Sequence, residues 1–122
     1  MPITNHYSGG FIETKMTGKI TAADLMGHAR ELAEIEAGLP ASPHRIADLT
    51  EVTAGEVSFE QINGFAAQRR VVQLRNPVKS AIVAHTPLQF GVARTFQTLN
   101  NNPGITIQVF RDDAEARAWL RQ

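Results

Sequence analysis

A chain of 122 residues has the length of one domain, here 1–122, and 43% hydrophobic residues supply a single core. The absence of cysteine excludes disulfide frameworks, thiol catalysis and cysteine-type zinc sites. A formal net charge of +0 argues against general nucleic-acid binding.

The chain opens Met1-Pro2-Ile3-Thr4-Asn5-His6, without the basic start or apolar stretch of a signal peptide. No run reaches the roughly 18 apolar residues that a membrane span needs, so a cytoplasmic protein is expected. Ile3 to Thr17 reads as a hairpin turning at Ser8-Gly9-Gly10. In its second arm Phe11, Glu13 and Lys15 alternate with Ile12, Thr14 and Met16, and either set could face the core.

Thr21 with Asp24 three residues on is an N-cap pattern, so a first helix starts there. Leu25, Ala29 and Leu32 make its apolar face, His28 lies on the flank, and Gly38 and Pro40 end it. Arg45 to Leu49 is a short strand, and Thr50 to Val57 is expected to be a loop. Ser58 with Gln61 opens a second helix carrying Phe59, Ile62 and Ala66, and Asn76-Pro77 turns the chain.

Lys79 to Ala84 contains the apolar run of a buried strand. Thr86, Pro87 and Gln89 then signal a helix start in three ways: a cap, a first-turn proline and a reciprocal cap partner. On this third helix Leu88, Val92, Phe96 and Leu99 form the predicted core face. At about 100° per residue, Phe90, Arg94 and Gln97 fall on the opposite side. Ile105 to Phe110 alternates as a strand, and Ile82, Val83, Ile107 and Val109 are expected on inner strands. Asp112 with Glu115 opens a fourth helix with Ala116, Trp119 and Leu120 inward, and Trp119 is expected to pin it to the core. Strands alternating with helices imply a largely parallel sheet with an antiparallel edge at the hairpin.

The run His85-Thr86-Pro87-Leu88-Gln89-Phe90-Gly91-Val92-Ala93-Arg94-Thr95-Phe96 resembles a segment of small bacterial STAS-like proteins. The closing Val109 to Leu120 and the stretch Gly18 to Asp24 fit the same family. The resemblance implies an α/β, STAS-like mixed sheet with an N-terminal hairpin and about four helices packed mainly on one side. It also implies kinship with anti-sigma-factor antagonists and with the lipid-transfer fold of CRAL-TRIO type. Anti-sigma-factor antagonists carry an Asp-Ser-Ser/Thr-Gly motif with the phosphorylated residue. Here Glu56-Val57-Ser58-Phe59 stands in its place, so no phosphoswitch is expected and Ser58 is the residual phosphosite candidate.

The remaining constellations have plain explanations. Thr86, Asp112 and Ser58 are helix caps, so the His85, Asp48 and hydroxyl groups near the strand ends do not make a hydrolytic site, and no nucleophile elbow exists. His6, His28, His44 and His85 lack metal spacing, so no metal or cofactor is expected. Arg69, Arg70, Arg75 and Lys79 cluster in sequence and read as a solvated basic face. Residues 1–61 carry four basic and nine acidic side chains, a net of −5, and residues 62–122 carry the opposite +5. Folding is expected to interleave the halves and cancel that field.

The sequence therefore points to a non-enzymatic regulatory or scaffold module, a homodimer that meets a regulatory protein partner. The alternative is a binder of a small apolar or lipid-like ligand beside the sheet. His85, Thr86, Phe90, Gly91, Arg94 and Gln97 are the candidate interface or ligand residues, with Phe90 and Arg94 four apart on an outward helix face. Gly91 beside them suggests close approach by another backbone.

Overall fold

The computed structural model describes residues 2–56, 74–99 and 103–122. The strands are β1 (Ile3–Ser8), β2 (Phe11–Thr21), β3 (His44–Glu56), β4 (Val78–Val83) and β5 (Ile105–Phe110). The helices are α1 (Ala22–Ala37), α2 (Pro87–Leu99) and α3 (Asp113–Leu120). The predicted helix opening at Ser58 lies outside the described residues, as do Arg69 and Arg70, so three of the four expected helices are described.

The five strands stand in sequence order, β1-β2-β3-β4-β5. β1 pairs antiparallel with β2, and the other neighbours pair in parallel. The hairpin turn is the two-residue loop Gly9-Gly10, with φ of 63° and 85°. Two successive positive φ values match the right-handed twist of the strands, and glycine adopts them without a Cβ clash.

Alternation assigns each face a core. Met16, Ile20, Leu25, Ala29, Leu49, Val52, Ile82 and Ala93 pack together under α1 and α2. Phe11, Ile46, Ala81, Val83, Ala116 and Leu120 pack together under α3, on the opposite face. The helices thus lie mainly but not wholly on one side. The face left open by the sequence in β2 is settled by α1. Thr14 is buried beneath it, its hydroxyl donating to Asn5 at 2.7 Å, and Asn5 in turn donates to Glu31 of α1 at 3.1 Å. Glu13, pointing the other way, pairs with Arg117 of α3 at 2.5 Å.

Several expectations are corrected. Thr50 to Val57 was expected as a loop, yet β3 continues to Glu56 beside β2, which itself runs past Thr17 to Thr21. The cause is two register shifts in the β2–β3 ladder, where β3 carries an extra residue each time. One shift lets Leu49 and Val52, three apart, enter the same core, which regular alternation forbids. Gly18, at φ 67°, lies at the second. The Asp48 carboxylate ties the first, accepting from Thr50 N at 2.8 Å and Thr50 Oγ1 at 2.6 Å. Asp48 is level with Val83 at the end of β4, so β3 outruns its neighbour and its last residues pair with β2.

β5 is an edge strand among the described residues, so Ile107 and Val109 are half-buried on an edge and not inner. Ile82 and Val83 do lie on an inner strand. His28 is buried at 7% exposure, not on a flank, because α1 turns that side toward β1. Trp119 is half-buried at the rim of the second core, its ring 5.5 Å from that of Phe110 and its face 5.4 Å from the Lys79 ammonium. Among the described strands, β1 to β3 of the first half and β4 and β5 of the second stand side by side, while α3 of the second half crosses to the first, where Arg117 pairs with Glu13 and Arg121 lies over Phe11.

Candidate functional site

In a parallel sheet, ligands and partners meet the crevice beyond the carboxyl ends of the strands. Here that end is shaped by the first turns of α1 and α2 and by the β2–β3 extension. Thr21 caps α1 reciprocally: Asp24 N donates to the threonine hydroxyl at 3.3 Å, and Thr21 N donates to the Asp24 carboxylate at 2.9 Å. Thr86 and Gln89 do the same for α2, with Gln89 N donating to Thr86 Oγ1 at 3.2 Å and Thr86 N to Gln89 Oε1 at 3.1 Å. Each such cap is worth about 1 kcal/mol.

Gln89 does more than cap. It is 2% exposed, its Oε1 also accepts from His85 N at 2.8 Å, and its Nε2 donates to Val52 O of β3 at 2.9 Å. The side chain therefore clamps the start of α2 onto the extended part of β3. This rotates the helix relative to the predicted wheel. Gln89 and Ala93 face inward, and Leu88, predicted as core, is 45% exposed. The side chains of Phe96 and Leu99 are outside the described residues.

The clamp leaves a pocket of about 150 Å³. Met16, Ile20, Leu25, Leu49, Val52 and Val92 supply its apolar walls, and Leu88 stands at its side. Ala54 and Gly55, from the stretch read as a loop, complete the lining. Sequence reasoning missed the pocket for that reason. The usable signal was Leu49 and Val52, apolar positions three apart in a segment that keeps strand-type residues on either side.

The predicted site residues are only partly brought together. His85 is exposed, and its Nε2 hydrogen bonds the Arg111 carbonyl at 2.9 Å, so that nitrogen carries the proton. Thr86 is exposed and engaged in the cap. Phe90 is half-buried, and its ring carries the Arg111 guanidinium at 4.7 Å. That cation comes from the end of β5, and Arg94, predicted to meet Phe90, is exposed one turn along. Gly91 is exposed, and no atom of the described residues outside its own helix turn lies within 4 Å of where its Cβ would be. Gln97 reaches across to the edge strand, donating to Ile107 O at 2.8 Å. Ser58 lies outside the described residues.

Of the predicted basic cluster, the two described members part company. Arg75 donates to the carbonyls of Glu36 and Leu39 at the end of α1, whereas Lys79 donates to Trp119 O at 3.0 Å and Gln122 O at 3.2 Å beneath α3. Among the described residues no three acidic or histidine side chains gather as a metal site would require. No helix among them is long and apolar enough to cross a membrane.

No family model matches the chain, and no curated protein sequence does. Solved structures do match. One is an uncharacterised DUF3478-family protein with a SpoIIAA-like fold from Shewanella loihica PV-4, at 19% identity and a TM-score of 0.65, covering 97% of this chain and 91% of that one. Another is an anti-sigma factor antagonist from Mycobacterium paratuberculosis, at 13% identity and a TM-score of 0.63, covering 98% of this chain and 93% of that one. These likenesses establish a SpoIIAA-like, STAS-type fold over nearly the whole chain.

Proposed function

We propose that the chain is a non-enzymatic regulatory or scaffold module, cytoplasmic, that acts by protein–protein contact at the surface between the first turns of α1 and α2. The observation that carries this reading is the exposed Leu88 beside an apolar pocket at the carboxyl end of the sheet. Met26, 41% exposed at the fifth position of α1, is a second large apolar side chain left exposed near that end. Interface centres combine such apolar anchors with a recess that takes one partner side chain. The polar groups nearby support the same reading, since Thr86, Gln89, His85 and Asp112 are all engaged in caps or backbone bonds. An anti-sigma factor antagonist among the structural neighbours is a protein whose name states a protein target.

The pocket also favours a second reading, a small apolar or lipid-like ligand, toward which the CRAL-TRIO resemblance points. The pocket's volume supports the first. Ligand pockets commonly span roughly 300–1,000 Å³, whereas a cavity of roughly 150 Å³ admits a benzene-sized group. At about 150 Å³ the pocket suits one leucine or phenylalanine side chain of a partner and is too small for a lipid.

The test places a photo-crosslinking amino acid at position 88. A protein captured there, once purified, should bind the wild type and lose about tenfold or more in affinity on Leu88→Glu. That variant should fold with a stability change under about 1 kcal/mol, because the side chain it replaces is largely exposed. Native mass spectrometry showing a stoichiometric small apolar ligand, with no protein captured, overturns the proposal. Sedimentation shows whether the contact is made by a second copy, the homodimer expected from the sequence.

A further inference from the structure

Among the described residues the sheet ends in two edge strands, β1 and β5. Hydrogen bonds at both ends of the β4–β5 ladder fix which groups of β5 look inward. Val78 N donates to Gly104 O at 2.7 Å, and Ala84 N donates to Phe110 O at 3.0 Å. The pairing between them has no register shift, so Thr106 and Gln108 also address β4. Ile105, Ile107 and Val109 therefore aim their N–H and C=O groups outward, away from the sheet. Gln97 agrees with this direction, since its Nε2 reaches Ile107 O from α2 at 2.8 Å. Ile105 has a partner of its own. Among the described residues, Ile107 N and both backbone groups of Val109 have none.

Edge strands are ordinarily blunted by charge, proline or a bulge. β5 has none of these: Ile105-Thr106-Ile107-Gln108-Val109-Phe110 is uncharged, and its ladder is regular. Ile107 and Val109 are half-buried on the α2 side, and Thr106 and Gln108 are exposed on the α3 side. The strand is also its own complement. Laid antiparallel against a second β5 about a two-fold axis through Gln108, Ile107 stands opposite Val109 of the other copy, and the two exchange both backbone hydrogen bonds. Apolar β-branched side chains then meet on one face. On the other face Gln108 meets its own copy, and a carboxamide both donates and accepts. No charge opposes a like charge within the strand pair. Arg94, the cation of α2, lies one turn before Gln97 and is exposed, so its long side chain can turn to water. β1 is a poorer self-complement. Asn5, midway along it, donates to Glu31 of α1 at 3.1 Å, so the same operation there would set two Glu31 carboxylates over one joint.

We propose that a second copy of the chain docks on this edge, β5 against β5, joining the two sheets into one with both α2 helices on the same side. The contact lies on the β5 side of α2, whereas Leu88 and the pocket lie on the β2–β3 side, so it does not depend on the reading above. Main-chain hydrogen bonds supply affinity, and the apolar row of Ile107 and Val109 shields them from water. Gln97 is compatible with the joint, because a carbonyl oxygen has two lone pairs and accepts from Gln97 and from the added strand together.

The test is sedimentation equilibrium of the full chain and of two variants. The wild type should form a dimer at micromolar concentration, and salt should not weaken it, because the joint holds no ion pair. Gln108→Lys and Gln108→Glu each set like charges opposite one another, and each should weaken the dimer about tenfold or more. An equimolar mixture of the two should recover a one-to-one heterodimer, since opposite charges then face each other. Thr4→Lys, at an exposed position of β1, should change nothing. Gln108 is exposed, so neither variant should disturb the fold, which circular dichroism checks. Amide exchange gives a readout on the unaltered protein: the Ile107 and Val109 N–H groups should gain protection as concentration is raised. A wild type that stays monomeric at millimolar concentration overturns the proposal. So does a dimer indifferent to both Gln108 variants, a mixture of the two that stays monomeric, or a dimer that Thr4→Lys or Leu88→Glu dissociates instead.

Discussion

At the amino end of the parallel strands, polar groups from distant elements bind one another. Arg45 at the start of β3 meets Glu36 in the last turn of α1 at 2.6 Å, with side-chain exposures of 10% and 9%. Ser42 N donates to the Asn76 side chain at 2.8 Å, and Arg75 N donates to Ser42 Oγ at 3.0 Å. His44 Nδ1 accepts from Lys79 N at 2.9 Å. The carboxyl end is built otherwise. Its polar side chains close the helix starts and clamp α2 to β3, and large apolar side chains face outward beside a pocket. One end is a set of interlocked ties, and the other is a surface held ready by a few residues. The comparison separates residues that hold the molecule together from residues that are free to meet something else.

The sharpest way to break the amino end is Arg45→Ala, which leaves the Glu36 carboxylate buried without its guanidinium. The loss should be about 3–5 kcal/mol in denaturant melts, because an uncompensated buried charge costs more than the pair returns. Replacing both partners, Arg45→Met with Glu36→Leu, should recover most of that loss. If Arg45→Ala melts like wild type, the pair is not a tie.

The carboxyl end has its own weak point in Gln89. Gln89→Ala removes the reciprocal cap and the bond to Val52 O, and leaves buried backbone groups unsatisfied. A loss of about 2–3 kcal/mol is expected, accompanied by faster amide exchange in the first turn of α2. An unchanged melting curve would show that α2 is held by apolar packing alone.

The smallest effect concerns pH. Burial, aided by the neighbouring Lys79 charge, holds His44 below the ordinary histidine range. Its Nδ1 accepts a hydrogen bond, so the fold favours the neutral ring. A depressed folded value means that the contribution is complete above the unfolded pKa, near 6.5, and is lost as pH falls through the folded one. His44→Asn keeps an acceptor for Lys79 N and cannot titrate. Its stability should therefore change less than that of the wild type between neutral and mildly acidic pH, measured by thermal melts at both.

Local chemistry determined much of this architecture from the sequence. The Gly9-Gly10 turn, the Thr21–Asp24 and Thr86–Gln89 caps, the Asp112 cap and the apolar run of β4 are all set by residues within a few positions of one another. Such signals are legible because their energies come from neighbours in the chain.

The pocket, by contrast, was decided by the tertiary structure. Thr50 to Glu56 has no regular alternation, because two extra residues in β3 shift its register against β2, and pairing with β2 makes it a strand regardless. Gln89 looked like a cap partner, and only the presence of Val52 O beneath it turned it into a clamp that rolls α2 and leaves Leu88 outside. Arg111 and Phe90, 21 positions apart in the chain, meet because β4 and β5 are neighbours. The physical reason is common to all three. A bulge, a side chain-to-backbone bond between elements and a cation–ring contact between a helix and a strand end each draw their energy from residues far apart in sequence, so no window along the chain contains both partners.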